Sequence, residues 1–350
     1  MVALGVLLHA LGGFAAGAFY APCKKVKGWA WESYWLLLGI FAWIIVPLVV
    51  ASLTVPDFAS VLQAAPGKPL GLAFLFGLLW GVGSVTFGLS VRYLGMSLGF
   101  AITLGFCAAF GTLIPPLFDG SLFGILKTAS GWITMGGIAL CLVGIAVCGN
   151  AGIHKEKHLA TSEPAADGKA APKEEFRFAL GVVVAVFAGI MSACMAFAFK
   201  AGAPVQALAV EMGVPEVRSN VPLLIVILWG GFITNAIWCA VLAVRNRTFG
   251  DFTNRATPRT RNLLLCALAG TLWYFQFFFY GMGETQMGDY NFTSWSLHMA
   301  FIIATSNVFG LAMGEWRGCG RSALAWLYAG TAILVLATII IGIGGTLAAH

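Results

Sequence analysis

Charge is scarce in this sequence. Only 10% of its 350 residues are Asp, Glu, Lys or Arg, whereas 59% are hydrophobic. Soluble domains carry about 25% charged residues, so this chain has too little charge to cover a globular surface of its length. Apolar stretches of about 20 residues, the length that crosses a bilayer core, recur along almost the whole sequence. The composition therefore indicates a multi-pass membrane protein and argues against a soluble enzyme.

The sequence also lacks the patterns of metal, disulfide and nucleotide sites. Its eight cysteines form no CxxC pair and no Cys/His cluster at metal-ligand spacing. Most of them fall inside apolar stretches, where a free thiol packs as a small hydrophobe. There is no GxxxxGK[ST] loop for a nucleotide phosphate. We expect no cofactor, no metal and no nucleic-acid partner. The net charge of +6 does not indicate nucleic-acid binding, because of where the basic residues lie along the chain.

Ten apolar spans are predicted, joined mostly by short connections. They lie near 2–22, 30–52, 69–91, 96–115, 130–150, 178–200, 219–244, 262–282, 292–314 and 322–346. One connection, 151–177, is long and rich in Lys, Glu, Ala and Pro, a composition typical of a flexible linker. We therefore divide the chain into a first five-helix repeat over 1–150, a cytoplasmic linker over 151–177 and a second five-helix repeat over 178–350.

The basic residues are distributed unequally between the two sides of the predicted spans. Alternate connections share a side, and only four of the 20 Lys and Arg residues fall on one of them: Lys68, Lys127, Lys200 and Arg218. Cytoplasmic loops of membrane proteins are enriched in Lys and Arg. The sixteen others are therefore expected in the cytoplasm, which puts both termini outside, in the periplasm of a bacterial inner membrane.

Two halves of five spans have opposite orientations because five is odd. This is the arrangement of an inverted-repeat transporter, whose substrate site lies near the middle of the membrane. A short sequence similarity between the halves supports it. Leu79-Trp80 precedes Phe87-Gly88-Leu89 in span 3, and Leu272-Trp273 precedes Tyr280-Gly281-Met282 at the same spacing in span 8.

Aromatic and amide side chains in the middle of two spans are candidates for binding a substrate. Tryptophan prefers the membrane interface, yet Trp80 and Trp273 fall at the centres of spans 3 and 8. Trp273, Gln276 and Tyr280 share one helix face. Aromatic rings offer a surface for the C–H face of a sugar, and amide and hydroxyl groups bind its hydroxyls. The alternative is a packed helix contact with one satisfied amide.

Histidines provide candidates for carrying a proton. Span 9 contains the polar and aromatic residues Asn291, Trp295 and His298, and His9 lies in span 1. Both histidines fall roughly six residues into their spans, about 9 Å from the outer boundary at the rise of an α-helix. Histidine titrates near neutrality, which suits a group that takes up and releases a proton. Either imidazole could instead bond a neighbouring carbonyl.

Acidic residues are missing from the middle of the predicted spans. Glu32, a few residues inside the cytoplasmic end of span 2, comes closest. It either pairs with nearby Lys25 or Lys27 or accepts a proton. Intramembrane ionisable groups are functional candidates by default, so Glu32 joins His298 and His9 as a candidate for proton coupling.

Five short motifs together resemble the L-rhamnose–proton symporters, a family of the drug/metabolite transporter superfamily. They are FYAPCKKVK over 19–27 with WE at 31–32, RYLGMS over 92–97, WYFQFFFY over 273–280, SWSLHM over 294–299 and EW at 315–316. The resemblance covers nearly the full chain in order. It implies a ten-helix fold with an inverted five-plus-five repeat, and inward transport of L-rhamnose driven by protons without ATP.

The hypothesis that follows is alternating access around a cavity in the middle of the membrane. Trp80 and Trp273 would sandwich the sugar ring, Gln276, Tyr280 and Asn291 would bind its hydroxyls, with Trp295 and His298 beside them, and His298 with His9 or Glu32 would carry the proton. Three alternatives stay open: a transporter of another deoxysugar, an exporter of a metabolite or drug, and a membrane scaffold without transport activity.

Overall fold

The structure, a computed structural model, describes residues 2–94, 96–118, 120–162, 178–312, 314 and 316–348. Within these ranges the regular structure is helical and includes no strand. Helices suit an apolar chain in lipid because every backbone N–H and C=O is bonded within its own segment. The all-α class predicted from the sequence is confirmed over these ranges.

Ten long helices follow one another along the chain. We number them in chain order: α1 Val2–Ala18, α2 Trp31–Thr54, α3 Gly67–Leu94, α4 Met96–Phe118, α5 Ala129–Ser162, α6 Phe178–Ala201, α7 Asn220–Asn246, α8 Arg259–Thr285, α9 Ser294–Ala312 and α10 Gly320–Ala348. Short helices connect some of them, at Tyr20–Cys23, Phe58–Ala64, Ser121–Ile125 and Ala203–Glu211, with 3-10 turns at Glu216–Arg218, Phe249–Phe252 and Gly288–Thr293.

Counted over the described ranges, nine helices are long and apolar enough to cross a membrane. In α4, the apolar stretch Ile102–Phe118 is shorter than the others. The number of ten spans therefore stays a prediction. The predicted span boundaries differ from the structure by a few residues at most helices, for example at α8, which continues to Thr285, and at α9, which begins only at Ser294. The largest difference is at α5, which continues to Ser162.

The extension of α5 makes the first part of the predicted linker 151–177 helical, up to Ser162. The rest of that linker, 163–177, lies outside the described residues, as does Glu315 of the EW motif. The division of the chain into two sequence repeats stays a prediction.

The chain forms two compact units, each built from both halves of the sequence. The first comprises Ala3–Val82 and Cys194–Gln286, and the second comprises Gly83–Ala193 and the chain from Met287 onward. The first unit therefore contains α1, α2, α7 and α8 with parts of α3 and α6, and the second contains α4, α5, α9 and α10 with the remaining parts.

In the first unit, α8 packs against α2, and α7 packs against α2 and α3. Small residues permit this close approach. A Cβ added to Gly270 of α8 would lie 2.7 Å from the carbonyl oxygen of Leu38, and one added to Gly230 of α7 would lie 2.9 Å from the backbone nitrogen of Leu78. Glycine at both positions therefore allows the backbones to touch.

Helix α2 contains a π-helical segment, Phe41–Ile45, in its middle. Pro47 follows it at the start of the second α-helical part, Val46–Thr54. Proline has no N–H to donate to the carbonyl four residues earlier, and the π-helical segment lies where that bond is missing. Such segments are frequent at functional sites, and this one contains Trp43.

In the second unit, α5 and α10 pack side by side, and α9 contacts α4, α5 and α10. The hydroxyls of Thr112 on α4 and Ser296 on α9 are hydrogen-bonded to each other. The thiol of Cys141 on α5 donates to the carbonyl oxygen of Ser296 at 3.6 Å. Hydrogen bonds made by neutral side chains, one to another side chain and one to a backbone carbonyl, thus join three helices of this unit.

Candidate functional site

Three tryptophans of the first unit pack into one group, which we call the tryptophan cluster: Trp43 of α2, Trp80 of α3 and Trp273 of α8. Their ring centroids lie 5.8 Å apart for Trp43 and Trp80, 5.3 Å for Trp43 and Trp273, and 5.5 Å for Trp80 and Trp273. These spacings are typical of favourable aromatic contacts. The three rings are buried.

A glycine of α7 makes room for one of these rings. A Cβ added to Gly231 would overlap the six-membered ring of Trp80. Trp80 and Trp273 touch each other directly, with their planes inclined by 46°. The predicted sandwich therefore does not exist in this conformation, because the contact between the two rings leaves no space for a sugar ring.

The face of α8 predicted from its spacing is buried in the first unit. Trp273 is 6% exposed, Gln276 6% and Tyr280 2%. The ring of Phe277 also contacts Trp80 and Trp273, with centroids 6.4 Å and 5.3 Å away. One face of α8 thus combines apolar rings with an amide and a phenol, as the sequence predicts.

His9 of α1 lies next to this face. Its imidazole is fully buried, and its ring centroid is 5.5 Å from that of Tyr280. A Cβ added to Gly283 of α8 would lie 3.0 Å from Nε2 of His9. The absence of a side chain at Gly283 therefore lets the imidazole reach the α8 backbone.

Glu32 is buried at the start of α2 and accepts hydrogen bonds from two neutral donors. Nδ2 of Asn246 donates to its Oε1 at 3.0 Å, and Oγ1 of Thr248 donates to the same oxygen at 2.8 Å. The first turn of a helix also favours an anion. These two hydrogen bonds connect the end of α7 to the start of α2, and they therefore favour a structural role for Glu32.

Another carboxylate attaches the connection between α7 and α8 to the start of α2. Oδ2 of Asp251 accepts a hydrogen bond from the backbone N–H of Ala30 and one from the hydroxyl of Ser33, both at 2.7 Å. The Ala30 N–H has no partner within the helix, so Asp251 satisfies one of the open donors at the helix start. Two carboxylates therefore stabilise this end of the first unit.

The second unit contains the remaining predicted site residues. Trp295 of α9 is buried, and its Nε1 donates to the carbonyl oxygen of Cys107 on α4 at 2.9 Å. His298 is fully buried on α9. Asn291 differs from them because it lies in the 3-10 turn Gly288–Thr293 and is exposed. Asn291 therefore does not share a continuous α-helical face with Trp295 and His298.

Two buried groups near the predicted residues were missed by the sequence analysis. Trp43 falls near the centre of span 2, so the same argument that selected Trp80 and Trp273 would have selected it. Glu284 lies four residues after Tyr280 and continues the face of Trp273, Gln276 and Tyr280 by one turn. It was missed because span 8 was predicted to end near 282.

The surroundings of Glu284 distinguish it from a surface carboxylate. Its Oε2 is buried and has no hydrogen-bond partner among the described residues. It interacts electrostatically with Lys200 at the end of α6 and with Tyr280. The first unit thus holds apolar rings, an amide, a phenol, an imidazole and a carboxylate near one face of α8, the chemistry needed to bind a polyhydroxylated ring and a proton.

A sequence model of the L-rhamnose-proton symport protein family (RhaT) matches residues 1–348. Proteins with the name L-rhamnose-proton symporter are similar to the chain over 98% of its length and 98% of their own. The identity is 36% with the protein of Cronobacter sakazakii, 35% with that of Escherichia coli and 34% with that of Klebsiella pneumoniae.

Proposed function

Because this chain belongs to the L-rhamnose-proton symport protein family, we propose that it carries L-rhamnose inward together with protons. It is a secondary active transporter and not an enzyme. The observation that carries the proposal is the family match over 1–348, with relatives of that name aligned over nearly their whole length. Both matches extend over nearly the whole length of the chain.

The first unit supports this proposal with a surface suited to a sugar. Binding sites for small molecules are mostly apolar, with a few polar groups that set the orientation. Trp80 and Trp273 offer ring faces to the C–H groups and the methyl group of a deoxyhexose, and Gln276 and Tyr280 bind its hydroxyls. Trp80 and Trp273 must separate if the sugar is to lie between them.

Within the second unit, Asn291, Trp295 and His298 are the residues proposed to bind the sugar. The exposed amide of Asn291 binds a hydroxyl of the entering sugar, and the buried pair Trp295 and His298 lies further along the chain on α9. His298, with His9 or Glu32, carries the proton during transport. Glu32 stays a candidate for proton coupling, although its two neutral donors support a structural role better.

We propose that the chain crosses the bacterial inner membrane ten times, with both termini in the periplasm. The nine apolar helices, the shorter apolar stretch of α4 and the unequal distribution of Lys and Arg support this topology. The grouping of helices supports an inverted five-plus-five repeat of the drug/metabolite transporter type. Helices α1 and α2 share a unit with α7 and α8, helices α4 and α5 share a unit with α9 and α10, and α3 and α6 are each divided between the two units.

Uptake of radiolabelled L-rhamnose by cells that lack their own rhamnose transporter tests this function. We expect accumulation above the external concentration, and its loss when a protonophore collapses the proton gradient. Unlabelled L-rhamnose is expected to compete better than L-fucose, a deoxyhexose of different stereochemistry. Uptake that the protonophore leaves unchanged would rule out proton symport, and better competition by L-fucose would indicate another deoxysugar.

A further inference from the structure

We propose that Glu284 is the group that first takes up the transported proton, ahead of the histidines, and that it controls the affinity of the sugar through Tyr280. This inference rests on the proposed function and deepens it. Intramembrane ionisable residues are costly and are therefore functional candidates, provided that a partner can be named. Glu284 has such partners in Lys200 and Tyr280, and Tyr280 also connects it to the proposed sugar site.

The first step is the burial of the carboxyl group. Oε2 of Glu284 is buried without a hydrogen-bond partner among the described residues. An ionised carboxylate in such a place is unfavourable unless a cation or a proton compensates it. Glu284 also lies in the last turn of α8, where the helix dipole disfavours an anion. This carboxyl group therefore has two compensated states, one paired with a cation and one protonated.

The cation is Lys200. It lies at the end of α6 and interacts electrostatically with Glu284 within the first unit. The side chain of Lys200 is exposed, so the pair lies where the protein interior meets water. In the proposed topology this is the outer side of the membrane, from which the proton enters.

The link to the sugar is Tyr280. It lies one helical turn before Glu284 on the same face of α8 and interacts with it electrostatically. Gln276 is one further turn away, so about 12 Å of helix contains both the sugar-binding and the proton-binding groups. His9 contacts the Tyr280 ring from α1. The titratable and charged groups that contact this segment or interact with it electrostatically, among the described residues, include Lys200, Tyr280 and His9.

The cycle is balanced in atoms and charge. A hydronium ion from the outer side gives its proton to the Glu284 carboxylate, which becomes a neutral carboxylic acid and releases water. Neutralisation removes a negative charge beside Tyr280 and favours the sugar-bound state. After the protein opens to the cytoplasm, the sugar leaves, the carboxylic acid gives up its proton by way of the neighbouring His9 to a cytoplasmic water, which becomes hydronium, and the carboxylate pairs again with Lys200. A proton can favour sugar binding only through such a difference in affinity.

The affinity of L-rhamnose for the purified full-length protein, measured by calorimetry from mildly acidic to mildly alkaline pH, tests the assignment. In the wild type we expect the affinity to fall with rising pH by roughly 5- to 150-fold, the usual range of coupling between two sites. Glu284→Gln mimics the protonated acid and is expected to keep the high affinity at every pH. Glu211→Gln, at an exposed position of the same unit, is expected to behave as the wild type.

Transport provides a second readout of the same variant. Exchange of labelled for unlabelled L-rhamnose needs no release of the proton, whereas net accumulation does. Glu284→Gln is therefore expected to exchange sugar in vesicles, while its accumulation falls from the roughly 50-fold that one proton moved across about 100 mV supports to about 1. A pH-dependent affinity like that of the wild type, or wild-type accumulation, would overturn the assignment.

A variant at an exposed position keeps the proposal testable if Glu284→Gln does not fold. Lys200→Gln removes the cation, so the proton is released less readily and the fall in sugar affinity moves to higher pH. An unchanged midpoint in this variant would contradict the role of the pair. If the wild type binds no L-rhamnose at any pH, the proposed function fails; if it binds with a pH dependence that Glu284→Gln retains, only the Glu284 assignment fails.

Discussion

Gln276 is the residue whose proposed role is simplest to test. Its amide is buried on α8 between Trp273 and Tyr280. Truncation would leave sugar hydroxyls without a partner, and an unpaired buried polar group costs about 1–3 kcal/mol. We therefore expect Gln276→Ala to weaken L-rhamnose binding by roughly 5- to 150-fold in calorimetry.

Gln63→Ala is the matched control for that measurement. Gln63 is exposed on the short helix Phe58–Ala64 of the same unit, and its truncation is expected to leave the affinity unchanged. An unchanged affinity in Gln276→Ala would remove this amide from the sugar site.

His298 is a fully buried imidazole of the second unit. Alanine at this position removes the only group of α9 that can change charge near neutral pH. We expect His298→Ala to lose accumulation against a gradient and to retain uptake down a gradient, measured with labelled sugar in cells. The control is His158→Ala, at an exposed position of α5. Concentrative uptake by His298→Ala would exclude a role in proton coupling.

At the scale of the helices, the stability of the first unit depends on how closely α3 and α7 approach. A Cβ at Gly230 would lie 2.9 Å from the backbone nitrogen of Leu78, and overpacking typically costs about 1–3 kcal/mol. Gly230→Leu is therefore expected to lower the thermal unfolding midpoint in detergent. Gly71→Leu, on α3 where a Cβ would meet nothing, is the matched control. Equal midpoints would show that α3 and α7 do not pack through Gly230.

The sequence predicted the helical elements well because apolar length is a strong signal in a membrane protein. The buried face of α8 also followed from its spacing, since Trp273, Gln276 and Tyr280 are all buried. The role of Glu284 could not be predicted, because it depends on where α8 ends. Glu284 lies outside predicted span 8, which ends about one turn too early, and such boundaries are uncertain by two to four residues.

Local departures from the α-helix explain why the sequence misplaced Asn291 and missed Trp43. Asn291 lies in a 3-10 turn before α9, so a 3.6-residue period does not apply to it. Trp43 lies in the π-helical segment Phe41–Ile45, and its contacts with Trp80 and Trp273 depend on how α2, α3 and α8 pack. Packing between distant segments cannot be read from spacing within one span.

For the molecule as a whole, sequence and structure agree on the all-α class, and the family match indicates the transported substrate. The helices confirm an all-α protein over the described ranges, and the family relationship indicates proton-coupled transport of L-rhamnose. The two compact units explain why predicted site residues fall in two groups, one on α1, α2, α3 and α8 and one around α9. Each compact unit therefore combines helices from both halves of the sequence.

The central claim is that sugar and proton move together through this protein. Purified protein in liposomes, with a pH indicator in the outer medium and no imposed gradient, tests it directly. Addition of L-rhamnose outside is expected to make the medium more alkaline as protons enter with the sugar, while D-glucose and protein-free liposomes give no change. Entry of labelled L-rhamnose without any change in external pH would contradict the account.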